Sequence, residues 1–294
     1  MAAREISPAT LRTVHVSAVA EVLKPLYYDP GLAAMRPNLV FVDPSGAVIC
    51  ETNEAGLKGG ALDPRRKLAV VWGDSVVFGS GWGWPCLLDG LAPGWQFLNG
   101  GIEGDHYANI LRRANECNRH YPVELNLLML GWHPFVALPP GEHRSRFRLP
   151  GVAERQRLRP GNKTIRTDLT RFLEAAPNTV VLTTPTALNP QIVDRDLSCF
   201  LVDGDDRTAF RFMGEVRYYL PGQRQGFEHI EERNAVAREV CEKLGIRLID
   251  LFAAFDTKSL ADFREHFIDM IHFRPPVYPL VAERVYEGIK DLLA

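Results

Sequence analysis

A serine that directly follows an apolar strand could act as a nucleophile in this chain. The stretch VVWGDSVVFG, residues 70–79, runs from apolar residues straight into Gly73, Asp74 and Ser75. A serine hydroxyl attacks an acyl carbon only when a base takes its proton, and that base needs a third group to orient it. Turns after strands are generally rich in Gly, Asp and Ser, so the tripeptide alone also fits a structural turn.

A carboxylate and an imidazole near the end of the chain could complete such a site. Asp269 and His272 lie three residues apart in the stretch FIDMIHFRP, so one loop can carry both. The carboxylate would hold the imidazole in the tautomer that accepts the serine proton. A lone histidine here would more often be a core or capping residue, but the pair together with Ser75 favours acyl-transfer chemistry.

The elements that must position these residues form an alternating α/β pattern from Lys67 onward. Continuous apolar runs alternate with amphipathic stretches, which predicts a three-layer α/β/α domain with a central five-stranded parallel sheet. The predicted strands are 67–72, 95–99, 124–130, 179–184 and 247–252. The predicted helices are 84–91, 105–120, 226–245 and 278–294.

Two kinds of region lie outside this alternation. Residues 1–66 are a predicted N-terminal extension packed on the core, with a β-hairpin around the turn at 43–46. Within the domain at 67–294, residues 135–167 and 185–225 follow the third and fourth strands, where loops line the ligand crevice of a parallel sheet. Both are predicted cap-like insertions.

The first insertion overlaps a basic stretch. Residues 141–171 hold nine Lys or Arg against three Asp or Glu, although the whole chain carries 34 basic and 36 acidic residues. The stretch is either a solvated loop or a cap that attracts an anionic substrate. The balance of charge over the whole chain argues against nucleic-acid binding as the main function.

The composition is that of a globular protein with a sizeable core. Hydrophobic residues make up 46 % of the 294 residues and charged residues 24 %. No window approaches the roughly 18 apolar residues that span a bilayer, and the N-terminus lacks the apolar core of a secretory signal. We therefore expect a soluble, cytoplasmic protein without a membrane partner, and no feature of the sequence indicates an oligomeric state.

The candidate metal ligands do not follow a metal-binding pattern. The five cysteines are scattered without CxxC spacing, which predicts core thiols rather than disulfides or a zinc site. Asp74, His133, Asp269 and His272 could converge on a divalent ion, but HExxH-type spacing is absent and the serine-based interpretation already uses three of them. We expect neither a metal nor another cofactor.

The order of motifs resembles that of the SGNH hydrolases, the GDSL esterase/lipase superfamily. GDSVVFG, NGGIEGD, a Gly-led tetrapeptide after the third strand and Asp-x-x-His before the last helix follow one another across about residues 67–294. The upstream ETNEAGLKG, residues 51–59, is similar to a segment that leads into the nucleophile in a bacterial branch of that superfamily. The resemblance implies a flavodoxin-like fold and esterase chemistry.

The resemblance also implies a role for each matching residue. Ser75 would be the nucleophile, His272 the general base and acid, and Asp269 the carboxylate that orients His272. The oxyanion would be held by the backbone N–H groups of Ser75 and Gly104. Asp74 belongs to the nucleophile motif and would be structural.

The chain departs from the family at the tetrapeptide after the third strand. Where the family has Gly-x-Asn-Asp, this sequence has Gly131-Trp132-His133-Pro134. Three interpretations of this departure are open. His133 would donate a ring N–H to the oxyanion in place of the asparagine amide, or the third oxyanion donor is missing. In the third interpretation, the site is adapted to acyl transfer or to a substrate whose own polar group occupies that space.

Several residues near these motifs are candidates for substrate contact. Trp82 and Trp84, in the run GSGWGWP, either pack on the sheet or wall an acyl or sugar pocket. Trp132 and Asp74 are further candidates. The glycine-rich run does not fit a dinucleotide site, because the next strand ends in Asn99 rather than in an acidic residue.

The function expected from these observations is a serine hydrolase. It would cleave an ester, an O-acyl group on a polar small molecule that is anionic or carbohydrate-like, through an acyl-enzyme. One alternative is an acyltransferase that passes the same acyl group to an alcohol or amine. A catalytically silent binding protein with the same fold is the other.

Overall fold

A parallel β-sheet with strand order β6-β5-β7-β8-β9 forms the centre of the molecule. In the computed structural model its strands are β5 (Lys67–Trp72), β6 (Trp95–Asn99), β7 (Val123–Met129), β8 (Thr179–Leu182) and β9 (Leu248–Ile249). All neighbouring pairs run parallel. This order, 2-1-3-4-5 along the chain, is that of flavodoxin-like folds and confirms the predicted fold class. The structure describes residues 28–29, 34–42, 48–79, 81–131, 161–187, 223–256, 262, 265–268 and 271–294.

Helices cover both faces of the sheet. They are α1 (Ser75–Phe78), α2 (Tyr107–His120), α3 (Asn162–Ala175), α4 (Gln223–Leu244), α5 (Leu251–Ala254) and α6 (Tyr278–Ile289). Short 3₁₀ helices span Trp84–Gly90, Pro275–Val277 and Lys290–Leu292. The four predicted helices are therefore present, with the first of them in 3₁₀ form. No helix in the described part of the chain is long and apolar enough to cross a membrane.

Side chains of β5 show how the three layers form. Leu68, Val70 and Trp72 face the apolar cluster that includes α2, α3 and α4. Ala69 and Val71 face the opposite cluster, with α6 and the first 3₁₀ helix. Successive residues of a strand point to opposite faces, and because both faces are covered, the strand reads as a continuous apolar run.

Two elements differ from the prediction. Helix α3 begins at Asn162, so residues 162–167, counted with the first insertion, are helical. The strand predicted at 247–252 ends at Ile249, because the Asp250 carboxylate accepts a hydrogen bond from the Ala253 N–H and caps α5. A capping aspartate starts a helix where the apolar residues that follow it would otherwise extend the strand.

The N-terminal region contributes two antiparallel strand pairs. β1 (Tyr28–Asp29) pairs with β2 (Ala34–Met35), and β3 (Val40–Val42) pairs with β4 (Val48–Glu51). The second pair is the predicted hairpin, whose turn lies outside the described residues. Of the two predicted insertions, residues 135–160 and 188–222 also lie outside them.

Candidate active site

Ser75 lies at a sharp change from strand to helix. β5 ends at Trp72, and Asp74 caps α1 by accepting a hydrogen bond from the Val76 N–H at 3.0 Å. Asp74 is fully buried, which fits the structural role implied by the motif. Ser75, the first residue of α1, is half-buried at the carboxyl edge of the sheet, and its N–H has no acceptor within the helix.

The structure brings Ser75 and His272 together across 197 residues of sequence. The hydroxyl Oγ of Ser75 lies 2.7 Å from Nε2 of His272. When Nδ1 carries the ring proton, Nε2 accepts a hydrogen bond from the serine hydroxyl. This is the contact that a nucleophile and its general base require.

Aromatic packing holds the loop that carries His272. The Phe273 ring stacks on Phe267 with centroids 5.0 Å apart and meets the edge of Phe255 at 4.7 Å. Backbone pairing adds to this packing, since the Ile268 N–H donates to the His272 carbonyl at 2.9 Å. Backbone pairing and ring packing therefore hold the residues on both sides of His272 together.

The loop after β6 lies against the nucleophile turn. The Ile102 N–H donates to the Gly73 carbonyl at 3.2 Å. Gly101 approaches so closely that a Cβ there would clash with the backbone of Val77 and Phe78. Gly104, the predicted oxyanion donor, follows in this loop with φ of +63°, a left-handed conformation that favours glycine.

A buried ion pair links this loop to the nucleophile turn. Arg113 on α2 donates through Nη2 to the Asp105 carboxylate at 2.7 Å, and both side chains are buried. The same guanidinium donates to the carbonyls of Gly100 and Gly73. Sequence reasoning missed Arg113, although a charged residue between Ile110 and Ala114 on the apolar face of α2 is an unusual pattern.

The remaining predicted residues fall into two groups. Trp82 is 44 % exposed, whereas Trp84 is fully buried and donates its indole N–H to the Val76 carbonyl, so Trp84 packs on the sheet. Asp269, Trp132 and His133 lie outside the described residues.

The segment that carries Trp132 and His133 starts beside the nucleophile turn. Gly131, directly before it, lies against Asp74, because a Cβ at Gly131 would be 2.7 Å from Asp74 Oδ2. Gly131 also accepts a hydrogen bond from the buried Arg233 at 3.1 Å. The last described residue before this segment therefore packs against the cap of α1.

Three of the cysteines behave as buried thiols. Burial raises the pKa of Cys86, Cys117 and Cys241 to about 12 in each case. They are therefore protonated at neutral pH and poor nucleophiles, as the sequence predicts. Among the described residues, no group of three or more His, Cys, Asp or Glu side chains could hold a metal ion.

Comparison with solved structures gives similar folds. A lipase/acylhydrolase from Enterococcus faecalis aligns with 77 % of this chain and 96 % of its own length, at 17 % identity and a TM-score of 0.50. LAE5, an alpha/beta hydrolase enzyme from the metagenome of Lake Arreo, also aligns with 77 % of this chain and 96 % of its own length, at 17 % identity and a TM-score of 0.50. No protein-family model and no curated protein matches the sequence. At this identity the likeness shows the fold alone, and it confirms the predicted three-layer α/β/α architecture.

Proposed function

We propose that this chain is a member of the SGNH hydrolases and a serine hydrolase that cleaves an ester through an acyl-enzyme on Ser75. The observation that carries the proposal is the 2.7 Å contact between Ser75 Oγ and His272 Nε2. Two polar side chains from opposite ends of a domain meet at the carboxyl edge of a parallel sheet, where ligands bind in such folds. The two similar structures are described as a lipase/acylhydrolase and a hydrolase, which supports this chemistry.

In the proposed reaction, Ser75 Oγ attacks the acyl carbon of the ester while its proton passes to Nε2 of His272. The protonated imidazole then gives that proton to the leaving alkoxide oxygen as the ester C–O bond breaks. A water molecule attacks the acyl-enzyme with His272 again as base, which releases the acid and restores Ser75. Asp269 is the proposed partner of Nδ1 and keeps the imidazole in the reactive tautomer.

The oxyanion would be held by backbone donors from two loops. As the first residue of α1, Ser75 offers its N–H, and Gly104 offers a second one from the loop packed on that helix. His133 is the proposed third donor, from the segment that starts beside Asp74. Removal of one oxyanion donor lowers kcat by roughly 10²–10³-fold in a serine hydrolase.

The proposed substrate is an ester of a polar small molecule. The basic stretch at 141–171 favours an anionic substrate, and the exposed Trp82 offers an aromatic face on which a sugar ring can stack. Trp84 and Asp74 do not belong to the proposed pocket, because both are buried and bonded to the backbone of α1. Trp132 remains a proposed contact.

Labelling and turnover test the proposal together. Wild-type protein should react covalently with a fluorophosphonate and hydrolyse p-nitrophenyl acetate, whereas Ser75→Ala should do neither while unfolding at the wild-type temperature. Thr167→Ala removes an exposed hydroxyl on α3 and should behave as wild type. Equal hydrolysis by wild type and Ser75→Ala would overturn the assignment.

A further inference from the structure

We propose that Lys58 and Asn99 are positioning residues that hold the carbonyl end of α1 and thereby keep Ser75 Oγ within hydrogen-bond distance of His272. The inference rests on the proposed function, since it assigns these two side chains to the support of its nucleophile. Lys58 comes from the segment between β4 and β5, ahead of the central sheet in the chain.

Lys58 places a buried ammonium at the end of α1. Its side chain is fully buried, and Nζ donates to the Phe78 carbonyl at 2.6 Å and to the Gly79 carbonyl at 3.3 Å. Nζ also lies 3.5 Å from the centroid of the Phe78 ring. An ammonium is costly to bury unless its donors find acceptors, so these contacts tie the position of Lys58 to that of Phe78.

Asn99 joins three pieces of backbone around the same helix end. Its Nδ2 lies 2.9 Å from the Val77 carbonyl, 3.0 Å from that of Phe78 and 2.8 Å from that of Trp82. Its Oδ1 accepts a hydrogen bond from the Gly101 N–H at 2.8 Å. One amide therefore connects α1, the turn that follows it and the loop that carries Gly104.

Lys58 and Asn99 are also paired through their backbones. Each N–H donates to the carbonyl of the other residue at 2.9 Å. The segment before β5 is thus fixed to the end of β6, where Asn99 is the last strand residue. Both side chains project from this pairing to the carbonyl end of α1, so they act as one unit.

The length of α1 makes this support necessary. The helix has four residues, far fewer than the roughly 12 that an isolated helix needs to be even marginally stable in water. Its conformation is therefore imposed from both ends, by the Asp74 cap at the start and by Lys58 and Asn99 at the carbonyl end. Ser75 is the first of the four residues, so a shift of the helix moves its hydroxyl.

A small shift of the Ser75 hydroxyl is expected to lower kcat strongly. A misplacement of about 1 Å in a reacting group can lower the rate by roughly 10²-fold. Loss of the Lys58 contacts should therefore lower kcat, while KM changes little because Lys58 is buried and does not touch substrate. A purely structural role predicts a lower unfolding temperature with an unchanged kcat for the folded protein.

The test compares two lysines near the two ends of β5. Lys58→Met removes the buried ammonium and keeps a similar apolar stem. Lys67→Met is the matched control, since Lys67 is exposed, lies over the Trp95 ring at 5.2 Å and also donates to a backbone carbonyl, that of Ala294. With p-nitrophenyl acetate we expect kcat to fall by roughly 10–100-fold in Lys58→Met and to stay at the wild-type value in Lys67→Met.

A thiol beside the lysine reports on the geometry directly. Cys86 Sγ lies 3.6 Å from the Lys58 carbonyl. Iodoacetamide should alkylate Cys86 faster in folded Lys58→Met than in wild type if the helix support loosens, although loss of the ammonium, which lowers the burial-raised pKa of this thiol, would by itself slow the reaction. Leu173→Ala, which opens the core on the opposite face of the sheet, should lower the unfolding temperature without changing kcat or the alkylation of Cys86.

The outcomes separate this inference from the proposed function. If wild-type protein neither labels with a fluorophosphonate nor hydrolyses the ester, the proposed function fails. If wild type does both, and folded Lys58→Met does so at the same rates, only the positioning role fails. Lys58→Gln decides the question if Lys58→Met does not fold, because its neutral side chain is easier to bury but carries its donor one atom short of the position of Nζ and so weakens the contact with the Phe78 carbonyl. A lower kcat in the folded protein supports the role, and a wild-type kcat overturns it.

Discussion

The turn that carries Ser75 and the loop that carries His272 differ in the side chains that hold them. Around Ser75, buried polar groups from Lys58, Asn99 and Arg113 bind backbone carbonyls. Around His272, three phenylalanine rings pack together. The nucleophile turn is thus fixed by buried polar side chains, whereas the loop of the base combines backbone hydrogen bonds with ring contacts that depend on shape and area.

This difference matches how precisely the Ser75 hydroxyl and the His272 imidazole must each be positioned. A hydroxyl that attacks an acyl carbon needs a defined direction, and hydrogen bonds weaken steeply away from good geometry. An imidazole on a packed loop keeps its distance while the loop adjusts slightly, because dispersion contacts are many and individually small. We therefore expect abrupt losses from changes around Ser75 and graded losses from changes around His272.

Removal of the base itself should give the largest effect. In His272→Ala the proton acceptor is lost, so kcat/KM for p-nitrophenyl acetate should fall by about 10⁴–10⁶-fold, as for triad members in serine hydrolases. His120→Ala is the matched control, since His120 is an exposed partner of Glu116 on α2. Retention of wild-type turnover in His272→Ala would contradict the proposed mechanism.

Breaking the buried ion pair should give the next largest effect. Arg113→Met leaves the Asp105 carboxylate buried without its partner, which should lower the free energy of unfolding by about 3–5 kcal/mol in urea titrations. Arg119→Met removes an exposed partner of Glu116 on the same helix and should cost no more than about 1 kcal/mol. The double variant Arg113→Met/Asp105→Asn should recover part of the lost free energy of unfolding, because it no longer buries an unpaired carboxylate. A further decrease in the double variant would show that the unpaired carboxylate is not the cause of the loss.

A change in the phenylalanine rings that pack beside the His272 loop should have a smaller effect. Phe273→Leu keeps most of the apolar volume but loses the ring contacts to Phe255 and Phe267, so unfolding should become easier by about 1–2 kcal/mol. We expect kcat to fall less than in Lys58→Met. Phe172→Leu, on the opposite face of the sheet, controls for the general cost of such a swap. A larger kcat loss in Phe273→Leu than in Lys58→Met would reverse the comparison.

The smallest effect should depend on pH. Burial alone would raise the pKa of Asp250, but hydrogen bonds from Arg238, the Ala253 N–H and Thr183 outweigh it and hold the pKa below its usual range. A carboxyl whose pKa is lowered on folding stabilises the fold above its ordinary pKa of 3.8 and loses that contribution as the pH falls through the folded value.

Asp250→Asn should therefore lower the free energy of unfolding by up to about 1 kcal/mol at pH 6, a modest value for a partly exposed cap and ion pair. The difference from wild type should shrink below pH 4. Urea titrations at pH 6, 4 and 2.5 give this profile, with Asp256→Asn, just beyond the same short helix, as the comparison. A difference that stays constant over this range would rule out the linkage.

The sequence predicted the features that depend on local pattern. β5, β6 and β7 are nearly continuous apolar runs, and Ser75 and His272 sit in motifs whose order indicates that they meet. Helix α3 was not predicted because residues 162–171, most of its length, lie inside the basic stretch. Its apolar face, which begins with Ile165 and Leu169, was the available signal.

Buried charges could not be predicted in the same way. Lys58 and Arg113 are residue types that usually face water. Their acceptors lie at the end of α1 and in the turns after β5 and β6, 13 to 40 residues away in sequence. Every residue has a backbone carbonyl, so the sequence does not show which carbonyls bind a buried side chain. The sequence therefore indicates the nucleophile and its base, while the groups that fix the nucleophile appear only in three dimensions.

The separation between Ser75 and His272 also bears on how the chain folds. Closing a contact over 197 residues costs loop entropy that local contacts do not, so this contact belongs among the late events of folding. The base lies in the sequence just before α6. Reaction with a fluorophosphonate during refolding would then time the completion of the whole domain, because partly folded chains would present a serine without its base.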